Sequence, residues 1–382
     1  MIWGNAHLRI FNFTYKENKI MVGNVVKVGI IGCGGIANGK HMPTLAKMSD
    51  VEMVAFCDVI PERAEEAAKK YGTPDAKCYT DYRELLADPT IDNVRVLTQN
   101  RLHAEITIAA LEAGKHVICE KPMCITTNEA KAMIAARDKA GKVLAIGYQH
   151  KFDADVMYAR AEAADGAFGE IYHGKCQVLR RRGAPTWGYF LSKDEQGAGP
   201  LFDIATHALD VLLYVMDNYE PRSVLGVTYD KLKNTPDGAN PFGNWEVEKF
   251  TVEDSAFALI TMKNGASIIL ETSWLLNAVV DEGVRYSVCG TLAGADNYGG
   301  KLKINSVKHG RKLLTTPDLS AGGVAFYEGA SQKPTDLEQR NFFDAIEGKA
   351  ELVNTPERAL AVTAILEAVK ISAESGKAVY FD

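Results

Sequence analysis

The stretch FDIATHALD, residues 202–210, places Asp203, His207 and Asp210 at spacings of four and three. On one helix these spacings stack three titratable side chains along a single face. A carboxylate beside an imidazole can relay a proton, and three such groups can also ligate a metal ion. A solvated helix face without a chemical role is the third alternative. The spacing alone leaves all three open.

The metal alternative requires further ligands close to these residues. The sequence holds no second group of His, Cys or Glu residues with a recognisable metal-ligand spacing. We therefore predict no metal site. Asp210, at the far end of the series, is interpreted as a structural hydrogen-bonding partner.

A second candidate site is the glycine-rich turn GIIGCGGIA, which carries G-x-G-x-x-A at Gly32, Gly34 and Ala37. A strand pattern precedes this turn and a helical pattern follows it. In such a turn the first glycine permits a tight bend and the second admits the pyrophosphate of a dinucleotide, while the third small residue lets the helix pack closely. The helix N-terminus offers free N–H groups to phosphates, so Gly35 and Ile36 are further candidate contacts.

The preference between NAD and NADP is predicted from Asp58, which ends the second strand pattern, VEMVAFCD. A carboxylate at this position accepts hydrogen bonds from the ribose hydroxyls of NAD and repels the 2′-phosphate of NADP. Arg63 is near in sequence and weakens the preference for NAD, because an arginine can accommodate the 2′-phosphate of NADP. The PERAE pattern, however, favours a solvated helix face for Arg63. We predict NAD as the cofactor.

A third motif, Glu120-Lys121-Pro122, ends the strand pattern HVICE. In open parallel sheets, ligands bind at the carboxyl ends of the strands, which makes this pair a candidate site. The alternative is a surface ion pair, the usual fate of such residues.

Two kinds of scaffold must position these residues. Between residues 25 and 148, strands alternate with helices, which predicts a parallel, doubly wound α/β sheet. After that, strand patterns follow one another directly, and Asn264-Gly265 predicts a hairpin within an antiparallel or mixed sheet. We predict an N-terminal extension (1–20), a nucleotide-binding domain (21–149) and a substrate-binding α/β domain (150–382).

Composition narrows the class of protein. The 382 residues are 47% hydrophobic and 24% charged, with a net charge of −6, which argues against nucleic-acid or anionic-membrane partners. No apolar run reaches the roughly 18 residues of a membrane span, and the start lacks a signal-peptide pattern. The seven cysteines form no C-x-x-C pair, which predicts reduced thiols and a cytoplasmic protein.

The glycine turn, the E-K-P motif and GAGPLFDIATHALD together resemble the Gfo/Idh/MocA family of NAD(P)-dependent oxidoreductases from about Val25 onward. The run LTQNRLHAEITIAALEAGKHVICEKPM also follows the family pattern T-P-N-x-x-H ending in E-K-P. The chain departs from this family at Arg95, Gln99, Ala198 and Ala205. None of these changes removes a chemical group, so we expect them to alter loop shape and pocket width.

The resemblance implies a Rossmann domain followed by an α/β domain with an open, mostly antiparallel sheet, whose exposed face often forms a homo-oligomer interface. Members oxidise or reduce a carbinol carbon of a sugar, inositol or related polyol. By the family motif, Lys121 lies beside the nicotinamide, and Asp203 and His207 face it. The stretch that lines the cofactor corresponds to Thr98, Asn100, His103 and Glu120.

These roles suggest a mechanism. Removing a hydride from an alcohol also requires a base for the hydroxyl proton, and a histidine poised near neutral pH, His207, is the candidate. Asp203 would bond the same hydroxyl or orient the imidazole. Lys121, with a depressed pKa, would stabilise alkoxide character. The reverse assignment, with Lys121 as the base, stays open.

Candidate substrate contacts follow from the run VLRRRGAPTWGYF and from the end of the last parallel strand. Strand alternation places Arg180 and Arg182 on one face, whereas a solvated or interface position is the alternative. Trp187 and Tyr189 would stack on a sugar ring or pack in the core. Two further candidates at the cleft edge are Tyr148 and Gln149.

The same run resembles a glycoside-oxidising branch of the family, which suggests oxidation of a sugar ring at C3. Three alternatives remain: an inositol or polyol dehydrogenase, a glycosidase that recycles bound NAD, and a non-catalytic NAD-binding regulator. Retention of Lys121, Asp203 and His207 argues against the regulator.

Overall fold

The computed structural model describes residues 25–319 and 333–381. The predicted extension, residues 1–20, lies outside the described residues. Two β-sheets with helices packed against them make up the described fold, and candidate residues of the two halves meet where Lys121 contacts Asp203.

The first sheet has six described strands, all parallel, in the order β3-β2-β1-β4-β5-β6. Its strands are β1 (Val26–Ile31), β2 (Val51–Cys57), β3 (Lys77–Tyr79), β4 (Asn93–Val96), β5 (His116–Glu120) and β6 (Leu144–Gly147). Strands β4 and β6 are buried at every position, as expected when helices cover both faces of a sheet. The predicted doubly wound parallel sheet is confirmed.

Helices alternate with these strands. They are a π-helical turn (Ala37–His41) continuing into α1 (Met42–Leu45), then α2 (Pro61–Tyr71), α3 (Tyr82–Leu86), α4 (Asn100–Glu112) and α5 (Thr127–Ala140). A reciprocal pair of bonds between Thr126 and Glu129 caps the start of α5, which satisfies two amides that have no partner within the helix. The sequence did not predict the π-helical turn.

The second sheet has nine described strands, in the order β14-β13-β12-β11-β7-β10-β9-β8-β15. These are β7 (Ile171–Leu179), β8 (Pro221–Tyr229), β9 (Ser255–Met262), β10 (Ser267–Ser273), β11 (Glu282–Gly290), β12 (Ala293–Asp296), β13 (Lys303–Lys308), β14 (Arg311–Thr315) and β15 (Val379–Tyr380). Only β7 and β10 pair in parallel, so the predicted mostly antiparallel sheet is confirmed.

The helices of the second half are α6 (Ala154–Ala164), α7 (Lys193–Gln196), α8 (Pro200–Asp203), α9 (Ala205–Met216), α10 (Pro334–Ile346) and α11 (Pro356–Ser375). Helix α9 is buried along most of its length and packs on β7 and β11. In the described part no single helix is long and apolar enough to cross a bilayer; Lys193–Asp203 and Ala205–Met216 meet that criterion only jointly, bent by 47°.

Helix α10 departs from a simple division of the chain at residue 149. Its Phe342 and Phe343 join a buried apolar cluster that includes Val28 and Ile30 of β1. A helix from the end of the chain therefore completes the core of the first sheet.

Candidate active site

The glycine turn after β1 has the geometry of a dinucleotide cradle. Gly32 has φ +94°, and a Cβ there would lie 2.5 Å from the carbonyl oxygen of Leu97, so only glycine fits. A Cβ at Gly34 or Gly35 would have no atom within 4 Å, and Ile36 is exposed. The turn is thus tight on its inner side and open on its outer side, where a pyrophosphate would lie.

The Asp58 carboxylate is fixed beside this turn. One of its oxygens accepts a hydrogen bond from the Cys33 amide and the other from the Ile60 amide, each at 2.9 Å. Each carboxylate oxygen has a second lone pair for a further donor. The open cradle and the anchored acceptor fit a dinucleotide with free ribose hydroxyls.

A buried charged cluster lies beneath the end of β5. The Nζ of Lys40 lies 2.8 Å from Glu120 and 3.1 Å from Glu338, and the Nε2 of His41 lies 2.7 Å from Glu120. Burial alone would raise the pKa of Glu120, but Lys40 and His41 hold it well below its usual value. Glu120, predicted to line the cofactor, is enclosed by these partners and ionised.

Three predicted cofactor contacts follow β4: Thr98 in the connecting loop, and Asn100 and His103 in α4. The ring nitrogens of the buried His103 lie 2.8 Å from the Pro122 carbonyl oxygen and 3.1 Å from that of Thr98, and burial lowers its pKa. Asn100 donates to the Gln196 carbonyl at 3.1 Å. His103 and Asn100 therefore brace loops, whereas the buried Thr98 hydroxyl has no partner among the described residues and remains a candidate contact.

Lys121 joins the two halves of the chain. Its Nζ donates to the Asp203 carbonyl oxygen at 2.7 Å and to the Asp203 carboxylate at 3.0 Å. The indole of Trp274 donates to the other carboxylate oxygen at 3.1 Å. The Asp203 carboxylate therefore fixes the Lys121 ammonium and is itself fixed by Trp274.

The predicted single helix through residues 203–210 is wrong. Helix α8 ends at Asp203 and α9 begins at Ala205, with a bend of 47° between the two helical stretches. Ile204 at the break has φ −115°, and the His207 amide donates to its carbonyl oxygen. Asp203 and His207 thus lie on different segments.

His207 lies partly buried at the start of α9. Its ring contacts His150 edge-on with centroids 5.0 Å apart, and its Nδ1 is buried without a hydrogen-bond partner in the described structure. Burial, with the charges of Lys121 and His150, holds the His207 pKa well below its usual value. The imidazole is therefore neutral at pH 7, and the prediction of a His207 pKa near neutral pH is wrong for the chain alone.

Asp210 lies on the same helix but serves another purpose. It forms a buried ion pair with Lys151 at 2.8 Å, beneath the rings of Tyr148 and Tyr214. Asp210 thus has a structural role, as the sequence predicted, and it lies in the core. Within residues 25–319 and 333–381, no cluster of three or more His, Cys, Asp or Glu side chains has the geometry of a metal site.

Of the two predicted substrate contacts that follow β6, Tyr148 is buried and Gln149 is half-buried. Tyr148 is 1% exposed, and its hydroxyl bonds that of Thr206 at 2.7 Å. Gln149 accepts from Lys40 at 3.1 Å. Tyr148 is therefore not available as a substrate contact, because its hydroxyl bonds Thr206 and supports the start of α9.

The arginine run lies beyond β7, which ends at Leu179, so the predicted strand alternation does not extend to it. Arg180 donates to the Gly183 carbonyl oxygen at 3.0 Å, and Arg182 bonds Asp237 at 2.6 Å. Both arginines therefore brace loops. Trp187 is 52% exposed, and its ring packs edge-on against Phe190 and Phe242.

Sequence reasoning missed several residues that shape the site: Lys40, His41, His150, Trp274 and Glu338. Two of them carried a signal. Lys40 and His41 are polar residues inside a helix that must pack on a sheet, and buried polar groups require partners.

Comparison with known proteins agrees with this geometry. Residues 26–148 match the family model described as an oxidoreductase family with an NAD-binding Rossmann fold, GFO_IDH_MocA. Residues 156–295 match the GFO/IDH/MocA C-terminal domain. Together the two matches span more than half of the chain.

Similar proteins act on sugars. The chain is 34% identical to D-glucoside 3-dehydrogenase of Escherichia coli over 93% of this chain and 97% of that protein. It is 31% identical to levoglucosan dehydrogenase of Pseudarthrobacter phenanthrenivorans over 63% of this chain and 65% of that one. A solved structure of levoglucosan dehydrogenase with NADH and levoglucosan matches with a TM-score of 0.78 and 26% identity, covering 93% of this chain and 99% of that one. The chain belongs to the Gfo/Idh/MocA family and is an NAD-dependent dehydrogenase.

Proposed function

We propose that this protein oxidises the sugar ring of a glycoside at C3, with Lys121, Asp203 and His207 handling the hydroxyl proton. The observation that carries the chemistry is the placement of an anchored ammonium, Lys121, near a neutral imidazole with an unpartnered nitrogen. The likeness to D-glucoside 3-dehydrogenase, 34% identical over 93% of the chain, supports a glycoside and position C3.

In this proposal His207 accepts the hydroxyl proton. A neutral imidazole is the form of histidine that acts as a base, and the low pKa keeps His207 in that form at neutral pH. A substrate hydroxyl would bond to the ring, whose Nδ1 has no partner in the described structure. The reverse assignment is less favourable because the Lys121 ammonium already donates to two oxygens of Asp203.

Lys121 stabilises the negative charge that develops on the reacting oxygen. Its ammonium is held in place before substrate arrives, and a preorganised donor requires little rearrangement as charge develops. Asp203 fixes the ammonium, and Trp274 fixes Asp203. Bound NAD⁺ supplies the hydride acceptor.

The cofactor would be held by the glycine turn, by the Thr98 hydroxyl and by Asp58. We expect NAD to be preferred over NADP, because a 2′-phosphate would face the Asp58 carboxylate. Replacing Asp58→Ala should lower the ratio of kcat/KM with NAD to that with NADP by about tenfold, the value of one charged hydrogen bond. Arg63→Ala is the control and should change the ratio little; a wild-type preference for NADP would contradict the assignment.

We also propose a homo-oligomer that forms through the outer face of the second sheet. Leu225, Val227 and Leu259 are exposed there, and Leu225 pairs with Leu259 across β8 and β9. A contiguous exposed apolar face marks an interaction surface. Light scattering should show an oligomer that Leu225→Lys dissociates; a monomeric wild type would refute this.

We further propose a cytoplasmic location, which the free cysteines of the described residues support.

The substrate is tested by following NADH absorbance with glycosides, inositols and free sugars, and by identifying the product by NMR. We expect turnover of a glycoside to a 3-keto product, lost when its C3 hydroxyl is absent. Faster turnover of inositols would make the protein a polyol dehydrogenase instead. Release of aglycone without accumulating NADH would indicate the glycosidase that recycles its cofactor. NAD binding without turnover of any substrate would indicate a regulator.

A further inference from the structure

A chain of hydrogen bonds crosses the core of the nucleotide-binding half and ends at the active-site lysine. The Nε of Arg95 lies 2.9 Å from the Gln339 side-chain oxygen, and the Gln339 nitrogen lies 3.2 Å from Nδ1 of His41. The Nε2 of His41 lies 2.7 Å from Glu120. The other Glu120 oxygen accepts from the Lys121 amide at 3.1 Å.

This chain has only one consistent direction. A guanidinium donates hydrogen bonds and cannot accept them, so Arg95 fixes the Gln339 oxygen as the acceptor and turns the amide nitrogen toward His41. That nitrogen donates to Nδ1, so the proton of a neutral His41 must be on Nε2, where it is donated to Glu120. A side chain that is fully buried in β4 thereby sets the tautomer of a histidine in another element.

We propose that Arg95 is a positioning residue for Lys121: by fixing His41 as the Nε2–H tautomer, it gives Glu120 only donors and keeps it as the carboxylate that anchors the Lys121 backbone. The assignment rests on the proposed function for the role of Lys121. It explains why an arginine occupies a strand position at which an apolar residue would be expected.

The surrounding charges are consistent with this role. His41 faces Glu120, Lys40 and Arg95, and burial lowers its pKa to about 4. Lys40 also faces Glu338. Arg95 stacks on Phe342 and Phe343 with its carbon 4.9 and 5.2 Å from the ring centres. Without Arg95 the Gln339 side-chain amide would be free to rotate and present its oxygen to His41. The loss of the Arg95 charge would also raise the His41 pKa, so His41 would gain a proton more readily.

The test uses Arg95→Met and Gln339→Glu, each in the full chain labelled with ¹⁵N-histidine, with His41→Gln to assign the signal. In wild type we expect His41 to be neutral and protonated on Nε2 at pH 6. In Arg95→Met the Gln339 oxygen is free to accept from Nδ1–H, and in Gln339→Glu a carboxylate faces Nδ1. Both variants should therefore show an imidazolium at pH 6. Arg340→Met, which removes another arginine from Phe343, is the matched control and should resemble wild type.

Activity supplies the second readout. An imidazolium at His41 binds the Glu120 carboxylate more strongly than a neutral ring does, and it competes with the Lys121 amide for that carboxylate. The kcat of Arg95→Met should therefore fall as the pH decreases through the new His41 pKa, and recover at high pH. A purely structural role would lower kcat equally at every pH and would refute the proposal. So would a neutral Nε2–H His41 in both variants. If the NMR shifts are as expected but wild type is inactive on every glycoside, the proposed substrate is refuted and the role of Arg95 is not.

Discussion

The surroundings of Lys121 and those of His207 differ in how completely their polar groups are paired. Lys121 has two acceptors on Asp203, and its neighbour Glu120 is enclosed by Lys40 and His41. His207 keeps a buried nitrogen without a partner in the described structure. The two residues therefore differ in how they are prepared for the reaction. Lys121 is positioned before substrate binds, whereas His207 completes its hydrogen bonds only with substrate.

The largest expected effect on kcat comes from removing the His207 imidazole, whose Nδ1 has no partner in the described structure. His207→Ala should lower kcat by about a hundredfold to ten-thousandfold, the usual contribution of a general base. The loss of stability should be confined to the ring contacts with Tyr148 and His150, because Nδ1 has no hydrogen bond to lose. Steady-state kinetics from pH 6 to 9 and thermal unfolding measure both. Tyr148→Phe, which removes the hydroxyl that bonds Thr206, is the control. Unchanged turnover across this range would show that His207 is not the base.

The next effect comes from removing the paired group. Lys121→Met should lower kcat by about a hundredfold to a thousandfold, as does loss of one donor to a developing oxyanion. Steady-state kinetics at saturating NAD⁺ and a binding titration with NADH test this. We expect the NADH dissociation constant to change much less than kcat. A loss confined to NADH affinity would assign Lys121 to the cofactor and not to the reacting oxygen.

Weakening the pair without removing the lysine should have a smaller effect. Asp203→Asn keeps the backbone oxygen that accepts from Lys121 and loses only the charge of the carboxylate. We expect kcat to fall by about tenfold, because a hydrogen bond to a charged group is worth roughly 1.5–3 kcal/mol. Trp274→Phe, which removes the indole donor to Asp203, should give a smaller loss. A defect as large as that of Lys121→Met would mean that Asp203 itself transfers the proton.

The smallest effect on turnover should follow from the ion pair that lies deeper in the same half. Lys151→Met leaves Asp210 buried and unpaired, which should cost about 3–5 kcal/mol of unfolding free energy while kcat of the folded enzyme changes little. The double variant Lys151→Met/Asp210→Leu should recover most of that stability. Denaturant unfolding with parallel kinetics measures both. A selective loss of kcat without destabilisation would place Asp210 in the chemistry.

The difference between these regions also explains what the sequence could predict. The glycine turn and the E-K-P motif depend on residues that are adjacent in the chain, and their strand context was evident from short apolar patterns. The partners of His41 are 79 and 298 residues away, so no local pattern contains them. The helix through His207 was predicted from periodicity, which assumes regular dihedral angles and does not detect the break at Ile204.

Helix α10 has a consequence for the synthesis of this chain. Its Phe342 and Phe343 fill the core beside β1, and its Gln339 bonds Arg95 of β4. Chains emerge from the ribosome N-terminus first, and domains usually fold in that order. Here the strands of the first sheet end at Gly147, whereas α10 begins at Pro334. The core of the first sheet is therefore completed only after most strands of the second sheet have been made.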